Sequence, residues 1–304
     1  MRSRWVVATL VLAVVLAGCA WFPGGPPRTG LPIGSSGCRS GSLPAPGIED
    51  RSITSNGVAR SYLRRVPQGY DARRPAPLVM SIHGFAEGSV IHTQMSEMGP
   101  IADANGIVVV YPQGLGSPPR WDNRIGSPDL AYIGHVLDEV ERDLCIDRRR
   151  VFVQGLSMGA FMTSSVACQY AGRVAAVGMV AGMLDVPGCA PSRKVPAVTF
   201  HGTEDTFVPF GPIPGNVAAW AERNHCATQP REDFVADDVT LVKYLCPVGA
   251  EVGFYRIAGG GHAWPGSEFS RQIEGVVGYT TFSIDASEIM WNFYRRHPMP
   301  LFAR

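Results

Sequence analysis

The chain has 304 residues, 45% of them hydrophobic and 17% charged, a balance that excludes wholesale disorder. With 27 Lys and Arg against 26 Asp and Glu, the formal charge is +1, which gives no electrostatic basis for a nucleic-acid partner. The 35 Gly and 25 Pro argue for many tight connections and against a helical bundle.

Arg2 and Arg4 precede an apolar run over residues 5–17, interrupted only by Thr9. The run is short for a membrane span and fits the apolar region of an export signal. It ends in Leu16-Ala17-Gly18-Cys19, small residues followed at once by Cys, which resembles the bacterial lipoprotein signal. Residues 1–19 are therefore read as a lipoprotein signal peptide. Cys19 is the lipidated residue, and the product is exported and anchored to the membrane of the cell envelope, or released to the extracellular space. The alternative is an ordinary signal peptide with a chance Cys at its boundary. Residues 20–47 are rich in Pro, Gly and Ser and read as a flexible stalk. The globular domain is expected to run over residues 48–304.

Within that domain, short apolar runs rich in Val and Ile occur at 78–82, 107–111, 151–153, 175–180, 195–200 and 252–257. Such runs are what strands buried on both faces look like. Between them, Ile133, Val136, Leu137, Val140 and Leu144 recur at helical spacing within 129–145, and residues 160–170 and 287–296 read as further helices. Alternating strands and helices predict one α/β domain, a mostly parallel sheet with helices on both faces. Trp220 and Trp291 read as core residues of helices.

Six cysteines follow Cys19, an even number that favours three disulfides in an exported protein. Cys226 and Cys246 flank one short segment and form the first expected pair. Cys168 with Cys189 is a second expected pair, which would leave Cys38 with Cys145, but six cysteines allow 15 pairings and the spacing alone does not fix them. No CxxC spacing occurs, so no zinc or redox site is expected, and no cofactor is called for.

Gly155-Leu156-Ser157-Met158-Gly159 joins the 151–153 strand to the 160–170 helix. This is the strand–turn–helix setting of a nucleophile elbow, in which small neighbours allow a strained Ser. A Ser hydroxyl is a poor nucleophile near neutral pH and needs a base, itself oriented by an acid. Of the four histidines after Ser157, His262 sits in Gly259-Gly260-Gly261-His262-Ala263-Trp264, just past a late strand, and is the candidate base. His225 and His297 read as solvated residues. The acid is expected in His201-Gly202-Thr203-Glu204-Asp205, with Asp205 chosen and Glu204 in reserve. An oxyanion hole takes one backbone N–H from the residue after the nucleophile, Met158. The second comes from the loop His83-Gly84-Phe85-Ala86, where Phe85 is the candidate and His83 a structural residue.

These segments occur in order with Arg60-Ser61-Tyr62-Leu63, Tyr111-Pro112-Gln113-Gly114, Ile146-Asp147, Val208-Pro209 and His262-Ala263-Trp264-Pro265. Together they resemble the extracellular α/β-hydrolase esterases grouped with poly(3-hydroxybutyrate) depolymerases and feruloyl or acetylxylan esterases. The resemblance implies an α/β-hydrolase fold and a serine esterase, with Ser157 as nucleophile, Asp205 as acid and His262 as base. Its partner would be an ester substrate, small molecule or polymer. Trp121, in a loop rich in Gly and Pro, and Trp264, beside His262, are candidate substrate-binding residues, with core packing as the alternative for each. The rival functions are a serine peptidase on the same fold and a non-catalytic surface-binding lipoprotein.

Overall fold

The computed structural model describes residues 31–41 and 43–301. In chain order the elements are β1 (Gly47–Ser55), β2 (Val58–Val66), β3 (Ala76–Ile82), α1 (Gly88–Ser96), α2 (Met98–Asn105), β4 (Val108–Pro112), α3 (Pro128–Asp143), β5 (Ile146–Leu156) and α4 (Met158–Gln169). They continue with β6 (Ala176–Val180), β7 (Ala197–Gly202), α5 (Ile213–Arg223), β8 (Arg231–Ala236), β9 (Val239–Lys243), β10 (Val252–Ile257), α6 (Glu268–Gln272), α7 (Glu274–Val277) and α8 (Ala286–Tyr294).

The ten strands form one sheet in the order β1-β2-β4-β3-β5-β6-β7-β10-β9-β8. The central strands β4, β3, β5, β6, β7 and β10 run parallel, and antiparallel hairpins close both edges. Every residue of β3, β4, β6 and β7 is buried, as their unbroken apolar runs require. Successive side chains alternate between faces. Leu78, Met80, Ile82, Val151 and Val153 therefore join one core with α3 and α4, while Val79 and Phe152 join a second with α2 and α8. Helix α3 starts at Ser127, whose hydroxyl accepts the Leu130 N–H, and at Pro128, which needs no N–H partner there. Its stripe of Leu130, Ile133, Val136, Leu137 and Val140 is buried. Trp220 and Trp291 are buried on their helices, as expected.

Among the described residues the three expected disulfides, Cys38–Cys145, Cys168–Cys189 and Cys226–Cys246, are all formed. The first changes the picture of the stalk. The Ile33 N–H donates to Asp147 Oδ1 at 3.0 Å, and the Ser35 N–H donates to Ile146 O at 2.8 Å. A 3₁₀ turn, Ser36–Arg39, then lies against α3 and carries Cys38 to Cys145. Residues 33–39 are thus docked on the domain that was expected to begin at residue 48. Covalent and backbone bonds replace the apolar burial that this Pro-, Gly- and Ser-rich segment lacks. The signal segment and Cys19 lie outside the described residues. Among the described residues no helix is long and apolar enough to cross a membrane.

His297 also departs from expectation. It is buried, its Nδ1 bonds Phe293 O at 2.8 Å, and its Nε2 lies 3.2 Å from Glu251. The last turn after α8 is therefore packed rather than solvated. His225 is exposed, as expected.

Candidate active site

Four loops meet the carboxyl ends of parallel strands, the edge where open α/β sheets hold their ligands. They follow β3 (residues 83–87), β5 (Ser157), β7 (residues 203–209) and β10 (residues 258–263).

Ser157 occupies the turn between β5 and α4 with φ 55° and ψ −119°, a conformation that L-residues rarely adopt. The turn is held by Ser157 N–H to Val180 O and Phe161 N–H to Ser157 O, at 2.9 and 3.0 Å. A Cβ on Gly155 would collide with the Gly159 carbonyl, and one on Gly159 with the Ile82 carbonyl. Both glycines are therefore required by close approach of backbone. Ser157 itself is half-buried at the head of α4.

Asp205 and His262 are brought together across the ends of β7 and β10. His262 Nδ1 lies 2.8 Å from Asp205 Oδ2. Since a carboxylate only accepts, Nδ1 carries the proton and Nε2 is left with a free lone pair. The other oxygen, Asp205 Oδ1, accepts the N–H groups of Phe207 and Val208 at 2.9 and 2.8 Å. Burial pushes the Asp205 carboxyl up. The hydrogen bond and charge of His262 outweigh it, helped by the Val208 N–H and by His201, and the net shift is downward. Burial pushes the His201 imidazole down, and its Nε2–H donates to Val208 O at 2.9 Å. Glu204 is exposed and takes no part in this pairing. The Phe207 ring, unremarked in the sequence, lies over His262 at 5.1 Å and is 57% exposed, so it covers the histidine from solvent.

The loop after β3 is built around His83, which is fully buried. Gly114 N–H donates to His83 Nε2 at 2.9 Å, so the proton sits on Nδ1, which donates to Gly84 O at 2.6 Å. Burial holds this imidazole near a pKa of about 4, opposed chiefly by the Gly84 carbonyl. In a trans peptide the C=O and N–H point in opposite directions. Pinning Gly84 O against His83 therefore turns the Phe85 N–H the other way. Among the described residues, neither the Phe85 nor the Met158 N–H meets a protein acceptor. The Phe85 side chain is 52% exposed.

The two tryptophans do not line the site. Trp264 is 1% exposed, with Nε1 donating to Ser287 Oγ at 3.0 Å. Trp121 is 5% exposed, with Nε1 donating to His83 O at 2.9 Å. Both indoles found buried acceptors, so both pack as core. Trp121 supports the His83 loop from behind, and its own N–H reaches Met158 Sδ. Among the described residues no cluster of His, Cys, Asp or Glu could hold a metal ion.

Among solved structures, the acetyl xylan esterase of Aspergillus awamori superposes on 75% of this chain and 98% of its own, with a TM-score of 0.60 at 16% identity. A thermostable esterase matches 58% of this chain and 52% of its own at a TM-score of 0.50 and 22% identity. The fold is the α/β-hydrolase fold. No family model matches the chain. In sequence it is 27% identical over 197 residues to the bifunctional acetylxylan esterase/xylanase of Neocallimastix patriciarum, covering 62% of this chain and 29% of that protein. It is 25% identical over 229 residues to feruloyl esterase B of Piromyces equi, with 67% and 42% covered. Against feruloyl esterase C of Emericella nidulans it is 30% identical over 177 residues, with 55% and 64% covered. The chain is thus a relative of the feruloyl and acetylxylan esterases, and spans from under a third to just under two thirds of their lengths.

Proposed function

We propose that the chain is an exported serine hydrolase of carboxylic esters, in which Ser157, His262 and Asp205 act as nucleophile, base and orienting acid. The observation that carries this reading is the 2.8 Å Asp205–His262 bond, which leaves Nε2 as a proton acceptor at the sheet edge that carries the strained Ser157 turn. Feruloyl, acetyl and polyhydroxyalkanoate-type esters are the substrate classes. Turnover follows from these groups. His262 Nε2 takes the Ser157 Oγ proton as Oγ bonds to the ester carbon. The carbonyl π pair moves to oxygen, where the Phe85 and Met158 N–H groups meet the negative charge. When the tetrahedral adduct collapses, the C–O bond to the alcohol breaks and His262 returns its proton to the departing oxygen. Water repeats the sequence on the acyl-enzyme, giving the acid and restoring Ser157. Methyl ferulate, p-nitrophenyl acetate, acetylated xylan and hydroxybutyrate oligomers, each compared with Ser157→Ala, test the reading. If none is cleaved faster by the native chain than by that variant, it fails.

The pH profile is a second expected result. His262 must be neutral to accept the proton, so kcat/KM falls on the acid side as it charges. His83 stays neutral down to about pH 4, so the oxyanion loop keeps its tautomer through that limb. Asp205, shifted downward, stays ionised as well. A profile flat from about pH 5 to 9 would rule out a histidine base.

The same reading places lipid on Cys19. The Leu16-Ala17-Gly18-Cys19 sequence and the three disulfides, which persist in oxidising compartments, support export. Cys19→Ser is expected to abolish incorporation of labelled fatty acid while leaving ester turnover per molecule unchanged. Lipid label retained in that variant would refute the assignment.

A further inference from the structure

The oxyanion loop contains a conflict. A Cβ at Gly84 would lie 3.3 Å from Glu87 Oε2, closer than most side chains are found, and 3.4 Å from Ser157 Cβ, an ordinary contact. The approach to Glu87 thus favours glycine there, and glycine is the residue least able to hold a peptide in one orientation. Something else must fix the planes on either side of it. Trp121 Nε1–H takes the carbonyl of the 83–84 peptide, and His83 Nδ1–H takes that of the 84–85 peptide. The remaining pin is Glu87. Its Oε2 accepts the Gly84 N–H at 2.5 Å, and its own N–H reaches Gly84 O at 3.4 Å.

Glu87 is itself held by a directed chain. Its Oε1 accepts from His92 Nδ1 at 2.8 Å, so Nε2 of that ring accepts the Ser81 hydroxyl at 2.9 Å. Ser81 Oγ accepts Gln154 Nε2 at 3.2 Å, and Gln154 Oε1 lies 3.4 Å from the Tyr294 hydroxyl. Ser81, His92, Gln154 and Tyr294 are all fully buried, and the Glu87 side chain is 8% exposed. Ser81, His92 and Glu87 repeat the residue types of a hydrolytic triad, but a Ser with no exposure inside β3 cannot meet a substrate.

We infer that Glu87 is a positioning residue for ester hydrolysis: it takes the Gly84 N–H so that the following N–H, that of Phe85, stays aimed at the developing oxyanion. The inference rests on the serine-hydrolase reading. It acts through geometry that matters only when negative charge forms on the substrate, so its loss should appear in kcat and leave KM nearly unchanged.

The experiment compares Glu87→Ala, Glu87→Asp and Glu87→Gln, with active sites counted by a fluorophosphonate burst. The readouts are kcat per titrated site, KM, and inhibition by phenylboronic acid, which becomes a tetrahedral anion on the serine. Glu87→Ala is expected to lose about 10²-fold in kcat, the scale of one oxyanion donor, and to bind the boronate correspondingly more weakly, with KM within about threefold. Glu87→Gln should recover most of kcat, because its amide oxygen still reaches Gly84 N–H and its NH₂ can donate to a re-tautomerised His92. Glu87→Asp keeps the buried carboxylate but is one methylene short, so it should resemble Ala. Should Ala not fold, the Asp and Gln pair decides the matter. Asp active with Gln slow would mean that charge, not the anchored N–H, is what counts, and the inference would fall. So would variants that lose titratable sites while the remainder keep native kcat and boronate affinity. A native chain without Ser157-dependent turnover would instead sink the underlying reading.

Discussion

Replacing Ser157 with Ala is expected to remove ester turnover and leave the fold in place. The two backbone bonds that hold the turn, to Val180 O and from Phe161 N–H, need no side chain. The glycines that make room for the turn, Gly155 and Gly159, are untouched. What disappears is the only protein atom in the proposed mechanism that bonds to the ester carbon. Loss of a triad nucleophile costs about 10⁴-fold or more in kcat, with the residue of rate coming from binding and the oxyanion donors. Initial rates with p-nitrophenyl acetate, beside a thermal melt, measure both halves of the expectation. Turnover within about tenfold of native, from a folded variant, would place the nucleophile elsewhere.

Asp205→Asn is expected to be nearly as severe, for a different reason. The substitution preserves shape, and the amide oxygen can go on accepting the Phe207 and Val208 N–H groups that Asp205 Oδ1 holds now. The NH₂ then faces His262 Nδ1, where the carboxylate accepted a proton at 2.8 Å. Two donors cannot share that contact, so the imidazole moves its proton to Nε2 and its lone pair to Nδ1. The base then points the wrong way, and an imidazolium formed during turnover loses its counter-charge. A wrong tautomer of this kind costs about 10⁴-fold in kcat. Glu204→Gln is the control. That side chain is exposed and outside the pairing, so kcat should stay within about twofold. If the two variants exchanged effects, the acid would be Glu204. If both were mild, His262 would not depend on a carboxylate at all.

The central strands were readable because burial on both faces writes itself as an uninterrupted apolar run, as in Leu78 to Ile82. The Ser157 turn was readable because a strand, a Gly-x-Ser-x-Gly turn and a helix are consecutive in sequence. The edge hairpins were not. In β1 the exposure alternates residue by residue, and β8 is largely exposed, so Gly47 to Ser55 and Arg231 to Ala236 look like polar loops. Their strand character comes from pairing with β2 and β9, which composition does not record.

The tryptophans were ambiguous for a related reason. An indole is buried when its N–H finds an acceptor. Trp121 found His83 O, 38 residues away, and Trp264 found Ser287 Oγ, 23 residues away. Neither partner could be named before the fold was known. The docked segment at Ile33 to Arg39 was signalled in the sequence by Cys38 alone. Its other ties include backbone bonds to Ile146 and Arg148, the Ile33 N–H to Asp147, and the Ser35 and Ser36 hydroxyls to Leu144 O and Glu141 O. Glu87 left no signal at all, since a loop Glu five residues before a His is an ordinary surface pattern until both are found buried.

The central claim is that Ser157 is the activated nucleophile, and covalent mapping tests it most directly. The native chain is treated with a fluorophosphonate, digested, and sequenced by mass spectrometry to locate the adduct. The account predicts a single adduct on Ser157, abolished in Ser157→Ala and slowed greatly in Asp205→Asn. An adduct on another residue, or no adduct on a folded chain that hydrolyses esters, would contradict it.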